Sequence, residues 1–202
     1  MPRRTLRLAG EPAADRLLTR DPLALIIGMV LDQQVPLDWA FRGPASMVER
    51  LDLAVPMDAA HIARIDPDVL ADAFARPPSL HRYPRSMAER VQALASLVAE
   101  EYGNDASRIW TDAVDGAALR ARVRSLPGFG DQKARIFVAL LGKQLGIRPA
   151  GWQEACEPFG EPGSYRSVAD IVDEQSLGEV RRRKKEAKEA AKAARTAASS
   201  SR

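Results

Sequence analysis

The chain has 202 residues, of which 46% are hydrophobic, which is enough for one sizeable domain with a real core. Its single cysteine, Cys156, excludes a disulfide framework within the chain and a four-cysteine iron–sulfur cluster, and no run approaches the ~20 apolar residues of a membrane span. The net charge of +3 hides an asymmetry: residues 181–202 hold nine Lys or Arg and two Glu, so the first 180 residues hold 21 basic and 25 acidic side chains and carry a charge of −4. A body of this charge needs a local basic patch, or its tail, to bind nucleic acid.

The N-terminal residues are basic and lack an apolar stretch of the length found in signal peptides. The cysteine usage suits a reducing compartment. We therefore expect a cytoplasmic protein.

Apolar residues recur with helical rather than strand spacing along most of the chain, which predicts an all-α fold. Helix starts are marked by capping aspartates and by prolines, as at Asp21-Pro22. Only residues 6–8 suggest a short strand or an extended arm. The predicted helices cover residues 11–18, 23–34, 37–50, 58–64, 67–74, 86–102, 117–125 and 134–145.

The second predicted helix, residues 23–34, is apolar nearly all round, as is typical of a helix buried in the middle of a domain. It ends in Leu31-Asp32-Gln33-Gln34-Val35, where polar side chains abruptly replace apolar ones. The two glutamines are interpreted either as amides that cap a helix end or as part of a binding face.

The segment His81-Arg82-Tyr83-Pro84-Arg85 precedes the long helix predicted for residues 86–102. It combines basic and aromatic residues, but a surface loop has the same composition. His61 and His81 have no partner spacing that suggests a metal site or a catalytic triad, so both are predicted to lie on the surface or in loops.

A tight turn is predicted in Leu126-Pro127-Gly128-Phe129-Gly130-Asp131-Gln132-Lys133-Ala134, between two helices. Pro127 stops the first helix, Gly128 and Gly130 permit positive φ, and Phe129 can fill the groove between the helices. Such a turn leaves the first N–H groups of the second helix unpaired, which favours an anion there. Lys133 and Arg135 make a nucleic-acid phosphate the expected anion.

The last part of the chain has a different composition. Residues 147–166 are rich in Pro and Gly and predict an irregular loop with one helical turn near Glu154. Ser167 is predicted to cap a final helix, with Asp170 as the carboxylate of a capping box. From Arg181 onward the sequence predicts a solvated helix or a disordered basic tail that packs against nothing.

Together, the turn and the Gln-Gln segment resemble the helix-hairpin-helix-GPD superfamily of DNA glycosylases, closest to the 3-methyladenine DNA glycosylase II type. The two motifs stand about 95 residues apart, as is usual for that superfamily, and the resemblance covers about residues 21–145. It implies a two-lobed helical fold with a cleft, here residues 1–178, followed by a basic tail at 179–202. The DNA-binding residues it implies are Gln33, Gln34, Leu126, Gly128, Phe129, Gly130, Gln132 and Lys133.

The activity implied by the resemblance is base excision: a damaged base, possibly alkylated, is flipped from the duplex and its N-glycosidic bond is hydrolysed. Gln33 or Gln34 would fill the gap or probe the base pair, and Tyr83 or a tryptophan would stack on the base. Gln132 occupies the position of the lysine of bifunctional members, which implies a monofunctional enzyme. Where the family has its aspartate, this chain has Pro149-Ala150-Gly151.

A carboxylate is nevertheless expected near the sugar, because the bond breaks through an oxocarbenium-like state. Glu154, Glu157 and Asp170 are the candidates within reach, with Asp170 also interpreted as the capping-box residue. The implied partner is double-stranded DNA with damaged or abasic sites, bound by a nucleoid-associated monomer. No cofactor or metal is implied beyond a monovalent cation at the hairpin.

Two other functions remain open at this stage. One is a non-catalytic DNA-binding or damage-sensing module that kept the hairpin and lost the aspartate. The other, weaker, is a helical interaction protein whose basic tail binds RNA or acidic partners.

Overall fold

A computed structural model describes residues 5–200, and within them the side chains of all but residue 188 and residues 191–200. This part of the chain is helical without a strand, which confirms the predicted all-α class. No helix in it is long and apolar enough to cross a membrane. The helices are α1 (Pro12–Arg20), α2 (Pro22–Leu31), α3 (Leu37–Leu51), α4 (Ala59–Arg64), α5 (Pro67–Ala75), α6 (Pro84–Glu101), α7 (Arg108–Thr111), α8 (Gly116–Ser125), α9 (Asp131–Gln144), α10 (Trp152–Ala155) and α11 (Glu174–Ser200), with a 3₁₀ turn at Val168–Asp170 before α11.

Aspartates begin four of these helices by accepting hydrogen bonds from otherwise unpaired backbone N–H groups. Asp21 accepts from Leu23 and Ala24 at the start of α2, and its second oxygen accepts from the N–H of Met57 at 2.6 Å. This buried carboxylate therefore starts a helix and fixes a distant loop against it. Asp58, Asp66 and Asp115 cap α4, α5 and α8 in the same way.

The most buried helix is α2, in which every residue after Pro22 is buried. It packs against α1, α3 and α6, while α4 and α5 pack against α6. A second group forms around α9, which contacts α8, α10 and the 3₁₀ turn. One continuous hydrophobic cluster runs through both groups.

Three predicted boundaries were wrong. Helix α2 ends at Leu31 rather than Gln34, because residues 32–35 turn to meet side chains from α6 and the segment before it. Helix α9 already begins at Asp131, and the 3₁₀ turn that Ser167 caps ends at Asp170, so the final helix begins only at Glu174. Residues 6–8 form an extended arm, held to α1 by hydrogen bonds from the N–H groups of Leu6 and Leu8.

The basic tail was predicted to pack against nothing, and here too the structure differs. Its residues continue α11, so the division predicted at residue 179 falls inside that helix. Residues 181–187 are exposed, yet Arg181 pairs with Asp38 of α3 at 3.0 Å. The beginning of the tail is therefore docked on the body.

The close packing of α2 on α3 depends on Gly28. A Cβ at this position would lie 2.7 Å from Cδ1 of the buried Phe41 ring, which has no free space to move into. We expect Gly28→Ala to lower the free energy of unfolding by about 1–3 kcal/mol in urea denaturation.

Gly178→Ala is the matched control, because Gly178 lies in α11 with nothing within 4 Å of its would-be Cβ. Because alanine has a higher helix propensity than glycine, this substitution should leave the free energy of unfolding unchanged or raise it by up to about 1 kcal/mol. Equal effects of the two substitutions would contradict the packing described.

Candidate nucleic-acid interface

The turn between α8 and α9 has the tight geometry that its sequence predicts. Gly128 has φ of +85°, and the N–H of Phe129 donates to the carbonyl of Leu126 at 3.0 Å. A Cβ on Gly128 would lie 2.9 Å from Cδ of Arg90 and 3.2 Å from Cγ1 of Val30. Gly128 is thus needed both for its conformation and for the close approach of the turn to α2 and α6.

Gly130 is needed for neither reason. Its φ is −104°, and a Cβ there would meet nothing within 4 Å. The prediction of positive φ was therefore right for Gly128 and wrong for Gly130. The space in front of Gly130 leaves the backbone open to a ligand.

The side chains of Leu126 and Phe129 lie inside the protein. Leu126 is 2% exposed, and the Phe129 ring packs edge-on against Phe137 with ring centroids 5.9 Å apart. Phe129 fills the groove between the helices, as predicted. In this arrangement the two residues offer a ligand their backbone rather than their side chains.

No side chain caps the start of α9, so its first N–H groups remain free to meet an anion. Asp131 stands in this first turn, but its carboxylate is held sideways by a hydrogen bond from Arg120. Nε of Arg135 lies 2.9 Å from Oδ2 of Asp131, an ion pair without hydrogen-bond alignment. The hydrogen bond from Arg120 lowers the pKa of Asp131, and the two arginines offset its charge at the helix start.

Lys133 reaches inward and joins α9 to the end of α2. Its ammonium donates to the carbonyls of Met29 at 2.6 Å and Val30 at 3.4 Å, and it lies 5.8 Å from the centre of the Phe129 ring. These carbonyls belong to the last turn of α2, where the helix dipole favours a cation. Lys133, which was predicted to bind DNA, therefore has its charge engaged within the protein, where it positions α2.

Burial also changes the protonation of Lys133. Removal from water lowers its pKa from the ordinary 10.5 to about 8, although the nearby charge of Asp32 acts in the opposite direction. The positive charges of Arg90 and Lys184 lower the pKa further.

Gln33 is held on three sides. Its Nε2 donates to the carbonyl of Val30 at 2.7 Å, and its Oε1 accepts from Nη1 of Arg90 at 2.9 Å. Its backbone carbonyl accepts from Nε2 of His81 at 2.7 Å. Gln33 thus shares the Val30 carbonyl with Lys133 and is fixed rather than free to swing out.

His81 is part of this framework: it lies in a loop, one of the two predicted alternatives, but is buried rather than on the surface. It is 1% exposed, and its Nδ1 accepts from the N–H of Tyr83 at 3.0 Å. Because Nε2 donates and Nδ1 accepts, the ring is the neutral Nε2–H tautomer. Burial lowers the pKa of His81, which keeps this arrangement neutral at physiological pH.

Gln34 differs from its neighbour. Its backbone has φ of +58°, a left-handed conformation that a non-glycine residue adopts at a cost of about 1 kcal/mol or more. Its side chain is exposed and has no hydrogen-bond partner among the residues that the structure describes. Gln34 is therefore the glutamine that is free to reach a ligand.

A polar cavity of about 250 Å³ opens beside Gln34. This is the volume of roughly eight water molecules, which leaves room for one nucleobase. Tyr83, 45% exposed, offers an aromatic face at its rim, with the Arg82 guanidinium 5.6 Å from the ring centre. The cavity is lined by Gln33, Gln34, His81, Tyr83, Ser86, Met87 and Arg90.

Asp170, the first predicted catalytic carboxylate, is sealed in a structural cluster. Its side chain is 2% exposed and accepts from Nζ of Lys143 at 2.6 Å, from Ser164, and from the N–H groups of Arg166 and Ser167. The capping box predicted for Ser167 and Asp170 is present. Lys143 stands ten residues after Lys133 on α9, roughly 15 Å along the helix, so this cluster lies away from the hairpin.

Glu154, the second candidate, is exposed on α10 and lines a separate cavity of about 770 Å³ with Arg120 and Arg124. That cavity shares no lining residue with the one beside Gln34. Gln132, predicted to bind DNA, is exposed in the first turn of α9. The structure therefore brings Gln33, Gln34, Gly128 and Lys133 together, seals Asp170 in another cluster and places Glu154 at another cavity.

The parts that Asp32, Arg90 and His81 play at this surface were not predicted from the sequence. Asp32 ends α2, its side chain is 19% exposed, and its charge acts on Lys133. The polar run after an apolar helix was a signal for Asp32, whereas nothing local marks Arg90. Among the described residues no group of three His, Cys, Asp or Glu is placed to hold a metal ion.

Comparisons with family models, with curated proteins and with solved structures found no match.

The buried Lys133 gives a test of the contact between α9 and α2. Below about pH 8 the folded state bears the full cost of a buried ammonium, and this cost disappears as the lysine deprotonates between pH 8 and 10.5. Across that window the free energy of unfolding of the wild type should rise relative to Lys133→Met, by up to roughly 3 kcal/mol.

Urea denaturation of both proteins at intervals from pH 7 to 10.5 measures this difference. Other titrating groups are common to the two proteins and cancel. Parallel stability profiles would show that Lys133 is solvated rather than buried against α2.

Proposed function

We propose that this chain is a base excision DNA repair protein that binds damaged duplex DNA through the hairpin and the Gln33-Gln34 turn. One observation supports the proposal: two segments about 95 residues apart in sequence, each resembling a motif of the same superfamily, meet in space. Lys133 of the hairpin helix donates to Met29, three residues before Asp32, across 104 positions of the chain. The two groups of helices around this junction would correspond to the two lobes of a glycosylase fold.

The DNA backbone would bind at the start of α9. The uncapped N–H groups and the open space in front of Gly130 suit a phosphate oxygen, bound directly or through a monovalent cation. Contacts of this kind position a protein on the duplex without reading its sequence.

Recognition of the lesion would fall to Gln34. Its exposed side chain would enter the duplex where a base has left, while Gln33, fixed by Arg90, keeps the turn in place. The displaced base would occupy the cavity beside Gln34 and stack on Tyr83, since stacking offsets part of the cost of flipping.

Hydrolysis of the N-glycosidic bond by a monofunctional glycosylase needs a carboxylate near the sugar. Because Asp170 is sealed and Glu154 lies elsewhere, our candidate is Asp32, which directly precedes Gln33. The carboxylate of Asp32 would stabilise the positive charge that develops on the sugar as the base departs with the bonding electron pair. Water would then add to C1′ of the sugar and release a proton.

A second function is favoured by one specific observation. None of the residues that line the cavity beside Gln34 is an aspartate or a glutamate. A non-catalytic protein that senses damaged or abasic sites would use the same surface and need no carboxylate there.

Base release separates the two functions. Duplexes with alkylated, deaminated or oxidised bases are incubated with the wild type, and strand cleavage after alkali is measured. We expect the wild type to release at least one class of base. The rate of release should fall by about 100-fold or more in Asp32→Asn. It should stay near the wild-type rate in the matched variants Asp170→Asn and Glu154→Gln, once their folding is verified. Release that depends on Asp170 or Glu154 would refute the role of Asp32, and binding of abasic duplex without any release would favour the sensor.

The phosphate site gives an independent prediction. Gly130→Ala fits the fold, because its conformation is extended and nothing blocks its Cβ, but the methyl group would stand where the phosphate approaches. We expect a loss of affinity for abasic duplex of about tenfold, with unchanged unfolding free energy. The wild type is the reference, and an affinity of Gly130→Ala equal to that of the wild type would place the phosphate elsewhere.

A further inference from the structure

We propose that the basic part of α11, which begins at Arg181, forms a second DNA-binding surface that holds the phosphate backbone of the same duplex that meets the hairpin. This inference rests on the proposed function for its choice of duplex DNA as the partner. The charge, the exposure and the docking of α11 carry it.

The charge distribution makes α11 necessary for tight binding. The first 180 residues carry a charge of −4, which repels a polyanion, whereas residues 181–202 carry nine basic side chains against two acidic ones. Affinity for duplex DNA comes largely from neutralised phosphates. The local positive charge of the hairpin is also partly used internally, because the Lys133 ammonium is bonded to α2.

The position of α11 brings this charge to the face that carries Gln34. Val180 is 1% exposed and anchors the helix in the core, and Arg181 pairs with Asp38 at 3.0 Å. One turn later, Nζ of Lys184 lies 3.9 Å from Oδ2 of Asp32. Asp32 and Asp38 flank the turn between α2 and α3 that carries the two glutamines. The basic part of α11 therefore begins beside this turn.

The positive charge of α11 also acts on Lys133 of the hairpin helix. The charge of Lys184 is among those that lower the pKa of Lys133. The positive field of the helix therefore extends to the junction of α9 and α2, where the duplex would lie.

The surface of α11 suits a polyanion rather than an apolar partner. Residues 181–187 are all exposed, and five of the seven are Lys or Arg. Arg182 is offset by Glu179 and Glu186, but Lys185 has only a 3.9 Å contact with Glu189. No apolar stripe accompanies these charges, as a helix that lies in a membrane surface would require.

The test uses the full chain with Lys185→Gln, Lys188→Gln and Lys192→Gln combined. These positions avoid Arg181, which docks the helix, and Lys184, which lies beside Asp32, and glutamine preserves helix propensity. Affinity is measured by fluorescence anisotropy between 50 and 200 mM salt, for an intact duplex and for the same duplex with one abasic site. The matched control is Glu186→Gln with Glu189→Gln, which changes the charge of the same helix in the opposite direction.

We expect the lysine variant to bind both duplexes at least tenfold more weakly at about 100 mM salt, with the salt slope of log affinity reduced by roughly 2 to 3. Its ratio of affinities for abasic and intact DNA should remain that of the wild type, and the control should bind more tightly. Salt slopes and affinities equal to those of the wild type would overturn the proposal. A wild type without preference for the abasic duplex would refute the proposed function, while the slopes on intact DNA would still decide the role of α11.

Discussion

The hydrogen bonds from the Lys133 ammonium to the last carbonyls of α2 determine how the two candidate motifs meet. Without a cation there, the carbonyls of Met29 and Val30 would be buried without full hydrogen bonding at the negative end of a helix. With it, α9 is fixed across α2, the turn at Gly128 is pressed against Val30 and Arg90, and Gln33 shares the Val30 carbonyl. The left-handed conformation of Gln34 is tolerated because these contacts hold the turn on several sides.

In the proposed function, charge would separate recognition of the lesion from affinity for the DNA backbone. The body is acidic overall, and beside its cavity the buried His81 is uncharged and Gln33 is fixed by hydrogen bonds. Positive charge is concentrated in α11, which is docked through Arg181 beside the turn that carries Gln33. Such a division predicts weak but shape-dependent binding by the body and strong, salt-sensitive binding by the helix.

The sequence predicts well those features that depend on neighbours along the chain. The aspartate caps, the buried character of α2 and the turn at Gly128 follow from local patterns, and so does the capping box of Asp170. Features decided by distant partners were missed, such as the end of α2 at Leu31, which depends on His81 and Arg90 some 50 residues further on. The burial of Asp170 against Lys143 and the docking of α11 likewise depend on contacts between residues distant in sequence, and no local pattern predicts them.

The central claim is that the hairpin and the Gln33-Gln34 turn meet the same lesion in DNA. Its most direct test attaches a DNA-cleaving chelate to cysteines introduced beside these two places. Cys156 is buried, and burial raises the pKa of its thiol to about 11, so a cysteine introduced at Ser86, which lines the cavity beside Gln34, or at Gln132 is the one reactive thiol. An iron chelate attached there cleaves nearby DNA, and the cut positions on a duplex with one abasic site are mapped on a sequencing gel. Cuts from both positions within a few nucleotides of the abasic site are the predicted result. Cuts unrelated to that site, or from only one of the two positions, would contradict the account.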